Sequence, residues 1–130
     1  MKISNEKRRA IKKIYDRVFS QIRQKNYYFK KPILKIITID SSTHGSYCWS
    51  GFSYSKFEPV IKVNGLRNLL EIEATIKHEF AHMINHITYG YVQRKPSHTK
   101  KFWEICKDDM KLRKKDYYMT TKEMKKVWKR

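Results

Sequence analysis

The 130-residue sequence predicts an α+β fold in one compact domain, residues 1–130, with a small three-stranded sheet, an N-terminal helix and further helices at the C-terminal end. Three observations predict it. Apolar residues recur at helical spacing through residues 3–24 and again through 69–87. Three short runs rich in β-branched and aromatic residues lie between these segments. Apolar residues make up 40% of the chain, enough for one packed core and too many for wholesale disorder.

Residues 3–24 read as an amphipathic helix. Ile3, Ala10, Ile11, Ile14, Val18 and Ile22 form its stripe, Lys7 interrupts it, and Tyr15 and Phe19 widen it. Pro32 ends any helix before it. Ile33–Asp40 reads as a first strand, Ser41–Ser46 as a turn-rich connection, Tyr47–Tyr54 as a second strand and Pro59–Val63 as a third. Asn64-Gly65 marks a turn. Leu69 to about Ile87 is a helix: Leu69, Ile72, Ile76, Phe80, Met83, Ile84 and Ile87 repeat at three and four, with Glu71 and Glu73 where the dipole favours acids. Gly90 is placed to end it, and residues 88–97 read as a polar loop. Ser97 is the expected N-cap of a helix over 98–114, and a last basic helix starts near Thr120 or Thr121. By this reading residues 1–31 are a basic helix, 32–110 the core, and 111–130 a basic tail.

Charge divides the chain differently. The net charge is +18, yet residues 32–90 are neutral, and segments 1–31 and 91–130 carry +9 each. A solvated lysine-rich surface explains many cations but not the shortage of acids at both ends. A polyanionic partner relieves the self-repulsion of such a chain, so nucleic acid held by the two basic ends is the expected partner. Anionic lipid fits less well, because the basic helices lack an apolar insertion face beyond what the core needs. No run reaches the ~18 apolar residues of a membrane span, and the first residues lack a signal peptide's apolar stretch. The expectation is a monomer in the cytoplasm, associated with nucleoid or chromatin. Cys48 and Cys106 are too few for a disulfide scaffold or a four-Cys zinc site, and read as small core residues.

The chemistry lies in His78-Glu79-Phe80-Ala81-His82, an H-E-x-x-H pattern in mid-helix. Residues four apart on a helix differ by about 40° in direction and about 6 Å along the axis, so both imidazoles face one side and can bind one ion. Glu79 lies about 100° from His78, within reach of a water held at that ion without ligating it. Zinc lowers the pKa of such a water to about 7, and the carboxylate takes its proton as it attacks a carbonyl.

A catalytic zinc needs a third protein ligand. His86 lies about 12 Å along the axis from His78, and three ligands in a row on one straight helix cannot surround a tetrahedral ion, so it reads as structural or exposed. Glu104, 22 residues after His82, suits a zinc site with a Glu ligand; its plainer reading is a surface ion pair beside Lys100, Lys101 and Lys107. His98 is favoured, because it shares a face with Phe102 and Ile105, which should pack on the active helix. The extended pattern H-E-x-x-H-x-x-G-x-x-H fails, with Asn85 and Thr88 at its Gly and His positions, and H-x-x-E-H is absent.

HEFAH (His78–His82) followed by SHTKKFW (Ser97–Trp103) resembles the SprT-like family of zinc metalloproteases, in which an H-E-x-x-H helix precedes a third His in a pattern like G-H-x-x-x-F. His98 and Phe102 take those positions, with Ser97 in place of Gly. VIKVNGLRNLLEIEATIKHEFAH also looks like the family's short strand ending in Asn before the active helix, and the similarity spans roughly residues 30–110. The resemblance implies a compact zincin-like domain, Zn2+ held by His78, His82 and His98, Glu79 as catalytic base, and a protease that cleaves proteins bound to DNA. Many members of the family also carry a C-terminal zinc ribbon, which two distant Cys cannot build. Nucleic acid would then be bound by the catalytic domain and its basic ends.

Other residues read more plainly. His44 sits in a turn, where it is a surface residue or lines the cleft. Trp49, Phe52, Tyr54 and Phe57 read as strand packing, with Trp49 or Tyr47 able to stack on an unpaired base. Tyr89 or Tyr91 can donate to a developing oxyanion, and Tyr117 and Tyr118 read as packing near the C-terminus. Two other function classes fit the same residues: a zinc-stabilised basic nucleic-acid-binding protein without peptidase activity, and a regulatory zinc peptidase indifferent to DNA.

Overall fold

The structure is a computed structural model that describes residues 2–25, 29–38, 51–55, 58–89, 99–113, 115 and 122–128. Helix α1 spans Asn5–Arg23, and Ser4 caps it, its hydroxyl accepting the Lys7 N–H at 3.0 Å. Ile11, Tyr15, Val18 and Ile22 form its buried stripe.

Three strands follow: β1 (Ile33–Ile37), β2 (Gly51–Ser55) and β3 (Glu58–Asn64), in the order β1-β3-β2. β3 pairs parallel to β1, with Ile33 opposite Val60, and antiparallel to β2, with Ser55 opposite Glu58. Its Val60, Ile61 and Val63 are buried, as a central strand requires. Pro59 pairs with Tyr54 of β2 and lies beyond the β1 ladder, which starts at Val60. β1 ends at Ile37, earlier than the expected Asp40; residues 39–50, including the expected start of the second strand at Tyr47, lie outside the described residues.

The turn at Asn64-Gly65 joins sheet to helix. The Leu66 N–H donates to the Asn64 side-chain oxygen at 3.1 Å, and the Gly65 N–H to the Ile37 carbonyl at 2.7 Å. A Cβ on Gly65 would meet Ile3 Cδ1 and Ile36 Cγ2, each at 2.8 Å, so glycine lets this turn seat against α1's entry and β1. Helix α2 (Leu69–Tyr89) then begins at a cap formed by Asn68, whose side-chain oxygen accepts the Glu71 N–H at 2.8 Å while Glu71 Oε1 accepts from the Asn68 amide at 2.7 Å.

α2 lies against β3, β2 and α1, and its Ile72, Ile76, Phe80, Met83 and Ile84 are buried. Tyr15 of α1 stacks on Phe80, ring centroids 5.6 Å apart, and donates its hydroxyl to the Pro32 carbonyl. Burial, helped by the Asp16 charge, pushes the Tyr15 phenol well above its ordinary range. Arg17 pairs with Glu73 between the same two helices.

The helix expected over 98–114 is different. Thr99, not Ser97, is the N-cap, its hydroxyl accepting the Phe102 N–H at 3.3 Å; α3 covers only Lys100–Glu104 and continues as a π-helical turn, Ile105–Asp109. The turn ends at Lys111, whose φ of 56° reverses the chain so that the Leu112 N–H donates to the Cys106 carbonyl at 2.9 Å. Helix α4 (Lys122–Trp128) lies in the segment expected to be a basic tail, yet buries Met124 and Val127 in the core. Trp128 Nε1 donates to the Leu112 carbonyl at 3.3 Å, and Lys107 Nζ to the Val127 carbonyl at 3.1 Å. Residues from α1, β3, α2, α3, the π-helical turn and α4 share one apolar core, which includes Cys106, free and buried. The α+β class therefore stands. Among the described residues no helix is long and apolar enough to cross a membrane.

Candidate metal centre

α2 presents the H-E-x-x-H residues because its core stripe leaves them no other direction. With Ile76, Phe80 and Met83 fully buried, His78 and His82 emerge together on another face, partly buried. Their ring centroids are 4.9 Å apart and their planes cross at 79°. Two imidazoles bound to one tetrahedral zinc through nitrogens about 2.0–2.1 Å away would hold their centroids about 5 Å apart. The pair fits such an ion in donor chemistry and in separation. Glu79, next to His78 in the sequence, is only 4% exposed.

α3 closes this site from one side. Phe102, fully buried, stacks on His82 with centroids 4.2 Å apart and planes at 22°, and meets His78 edge-on at 5.0 Å. Trp103 stands 5.9 Å from His78 and 4.9 Å from Phe102. These contacts limit ring rotation of both histidines, the service that neighbours of metal-binding imidazoles provide. The expectation that the Phe102–Ile105 face packs towards the active helix holds for Phe102.

His98 lies outside the described residues, as do His44, Cys48, Trp49, Phe57 and Tyr91. The helix that carries Phe102 starts after Thr99, one residue beyond His98 in the sequence, so the expected start of that helix at 98 is corrected to 100. His86 turns towards the sheet, its ring 6.3 Å from that of Phe52. Glu104 is partly buried on α3. Among the described residues no three His, Cys, Asp or Glu gather as a metal site would need.

Sequence reasoning missed two features. Trp103 was legible only as the neighbour of Phe102. The five cations lining the clefts beside α2, Lys25, Lys77, Lys111, Arg113 and Lys115, are distant in sequence and gave no motif. Compared with models of protein families, with curated proteins and with solved structures, the chain matches none.

Proposed function

We propose that this chain is a zinc-dependent endopeptidase with a zincin-like, SprT-like core, acting on proteins bound to nucleic acid. The observation that carries the reading is the His78–His82 pair at 4.9 Å, with Glu79, the residue after His78, buried. The clustering of Phe102 and Trp103 on that pair and the +18 charge support it.

His78, His82 and His98 would hold the ion. Bound zinc supplies a Lewis acid for the scissile carbonyl and lowers the pKa of water to about 7. Glu79 accepts the proton of the attacking water and returns it to the leaving amine. Its low exposure keeps bulk water from competing for that proton. Phe102 and Trp103 hold the histidine rings in place, and the basic surface holds the nucleic acid on which the protein substrate sits.

The test is zinc content and cleavage of a DNA-binding protein, with and without single-stranded DNA and beside a chelator control. Glu79→Gln should keep the zinc and lose about 10²-fold or more of the activity, whereas His98→Ala should lose the zinc. A parent protein that takes up no zinc, or a Glu79→Gln variant as active as the parent, would overturn the proposal.

A further inference from the structure

Two adjoining clefts, of about 230 and 410 Å³, run along one flank of α2 and share Lys77 and Lys111 as walls. Among the described residues Lys25 adds to the cations of the first, and Arg113 and Lys115 to those of the second, against two acids, Asp109 and Glu73. Lys25 donates to the Asp109 carbonyl at 2.8 Å, and Lys77 pairs with Glu73 at 3.5 Å, so these two are anchored as parts of the wall. Lys111 and Lys115 are exposed.

Lys111 also stands where the π-helical turn ends. Its φ of 56° puts it in the left-handed region, which glycine usually fills where a helix ends that way. Lysine is less favourable than glycine in this conformation, which matters for the choice of variant.

We propose that this double cleft seats the phosphodiester backbone of a nucleic acid. Its two lobes share a cationic wall, which suits a run of evenly repeated anions better than a single phosphate. Its concavity does not match a flat lipid surface. No aromatic ring lines it among the described residues, so it reads phosphates and stacks no bases, and binding is indifferent to sequence. Lys77 immediately precedes His78, about 100° around the helix, so a bound strand runs a quarter-turn from the proposed metal pair. The inference deepens the proposed function and rests on it for its nucleic-acid half alone; the test reads binding and not cleavage.

The experiment is fluorescence anisotropy with a labelled single-stranded DNA of about 20 nucleotides and with its duplex, on the full chain. The variant is Lys111→Gly/Lys115→Gln. Glycine relieves the φ of 56°, so the fold should be no less stable, which a thermal melt checks. The control is Lys35→Gln/Lys62→Gln, which removes the same charge from exposed positions of β1 and β3, in the segment of no net charge. Each lost phosphate contact should weaken single-strand binding about fivefold at ~0.1 M salt, hence about 25-fold for the cleft variant, and lower the salt slope by about 1.4. The control should lose less than about threefold. Equal losses in the two variants, or unchanged binding in the cleft variant, would overturn the proposal. So would a cleft variant that keeps its DNA affinity but loses binding to phosphatidylglycerol vesicles. Loss of DNA binding with cleavage of free protein intact would support the cleft, whatever becomes of the peptidase proposal.

Discussion

Replacing Phe102 by Leu separates two jobs that the ring performs at once. Leucine keeps an apolar group in a site that is 0% exposed, so the volume change alone costs about 1.5 kcal/mol or less. The ring also contacts His78, His82 and Trp103 at 5.0, 4.2 and 4.9 Å. If each contact contributes about 0.5–1 kcal/mol beyond burial, the total loss reaches about 3–4.5 kcal/mol when the volume term is at its upper limit. That lowers the melting temperature of the metal-free protein by about 10–15 °C and leaves it folded if its stability lies in the usual range of about 5–15 kcal/mol. A purely structural ring would stop there. A ring that fixes the imidazoles must also weaken zinc binding, by about 10–100-fold, as removing neighbours of metal ligands does. Competition with a chelating dye on the folded variant measures this affinity directly. Melting with and without zinc measures it again, because each tenfold loss removes about 1.4 kcal/mol of zinc-induced stabilisation. A Phe102→Leu protein that melts earlier but binds zinc as tightly as the parent would show that the ring is core alone, and the positioning argument fails.

Two further predictions concern the frame around the site. The folded protein favours the neutral Tyr15 phenol, while the unfolded chain begins to ionise it near pH 10, so its stabilising share is complete below pH ~10 and lost as pH rises beyond. Tyr15→Phe should remove a phenolate signal that rises above the ordinary tyrosine range and make stability fall less steeply above pH ~10; a parent titration in which no tyrosine ionises beyond that range would refute this. Gly65→Ala places a methyl 2.8 Å from Ile3 Cδ1 and Ile36 Cγ2, and the β-branched Ile36 has little freedom to yield. A loss of about 1–3 kcal/mol by denaturant unfolding is expected, and an unchanged midpoint would show that both side chains give way freely.

α1 and α2 were legible because a single period runs through each with its core stripe intact, from Ile11 to Ile22 and from Ile72 to Ile84. The third helix was not. Phe102 and Ile105 do share a buried face, which gives a periodicity argument its purchase, but periodicity says nothing of where a helix begins. Ser97 and Thr99 are both good caps, and the choice falls to Thr99, whose hydroxyl reaches the Phe102 N–H. At the other end, Lys100–Asp109 changes from α to π winding, and Lys111 takes a conformation that sequence rules reserve for glycine. Local pattern carries neither event. The basic clefts were invisible for a related reason: net charge is additive along a sequence, but a cleft depends on where residues 25, 77 and 111 meet in space.

Five cations close to a proposed dication raise the question of whether the two sites can share α2 at all. Across about 10 Å, the width of a helix, a Lys and a doubly charged ion repel by about 0.8 kcal/mol in water, and less once salt screens them. Lys77 is also partly neutralised by Glu73, which Arg17 holds as well. Even several such terms are small beside the roughly 10–16 kcal/mol with which structural zinc sites bind their ion. The phosphate strand responds to the same charges with the opposite sign, since each adds to its affinity. A quarter-turn of one helix is therefore enough to keep the anion seat and the cation seat from cancelling each other, provided that the sites lie on different faces, as Lys77 and His78 require.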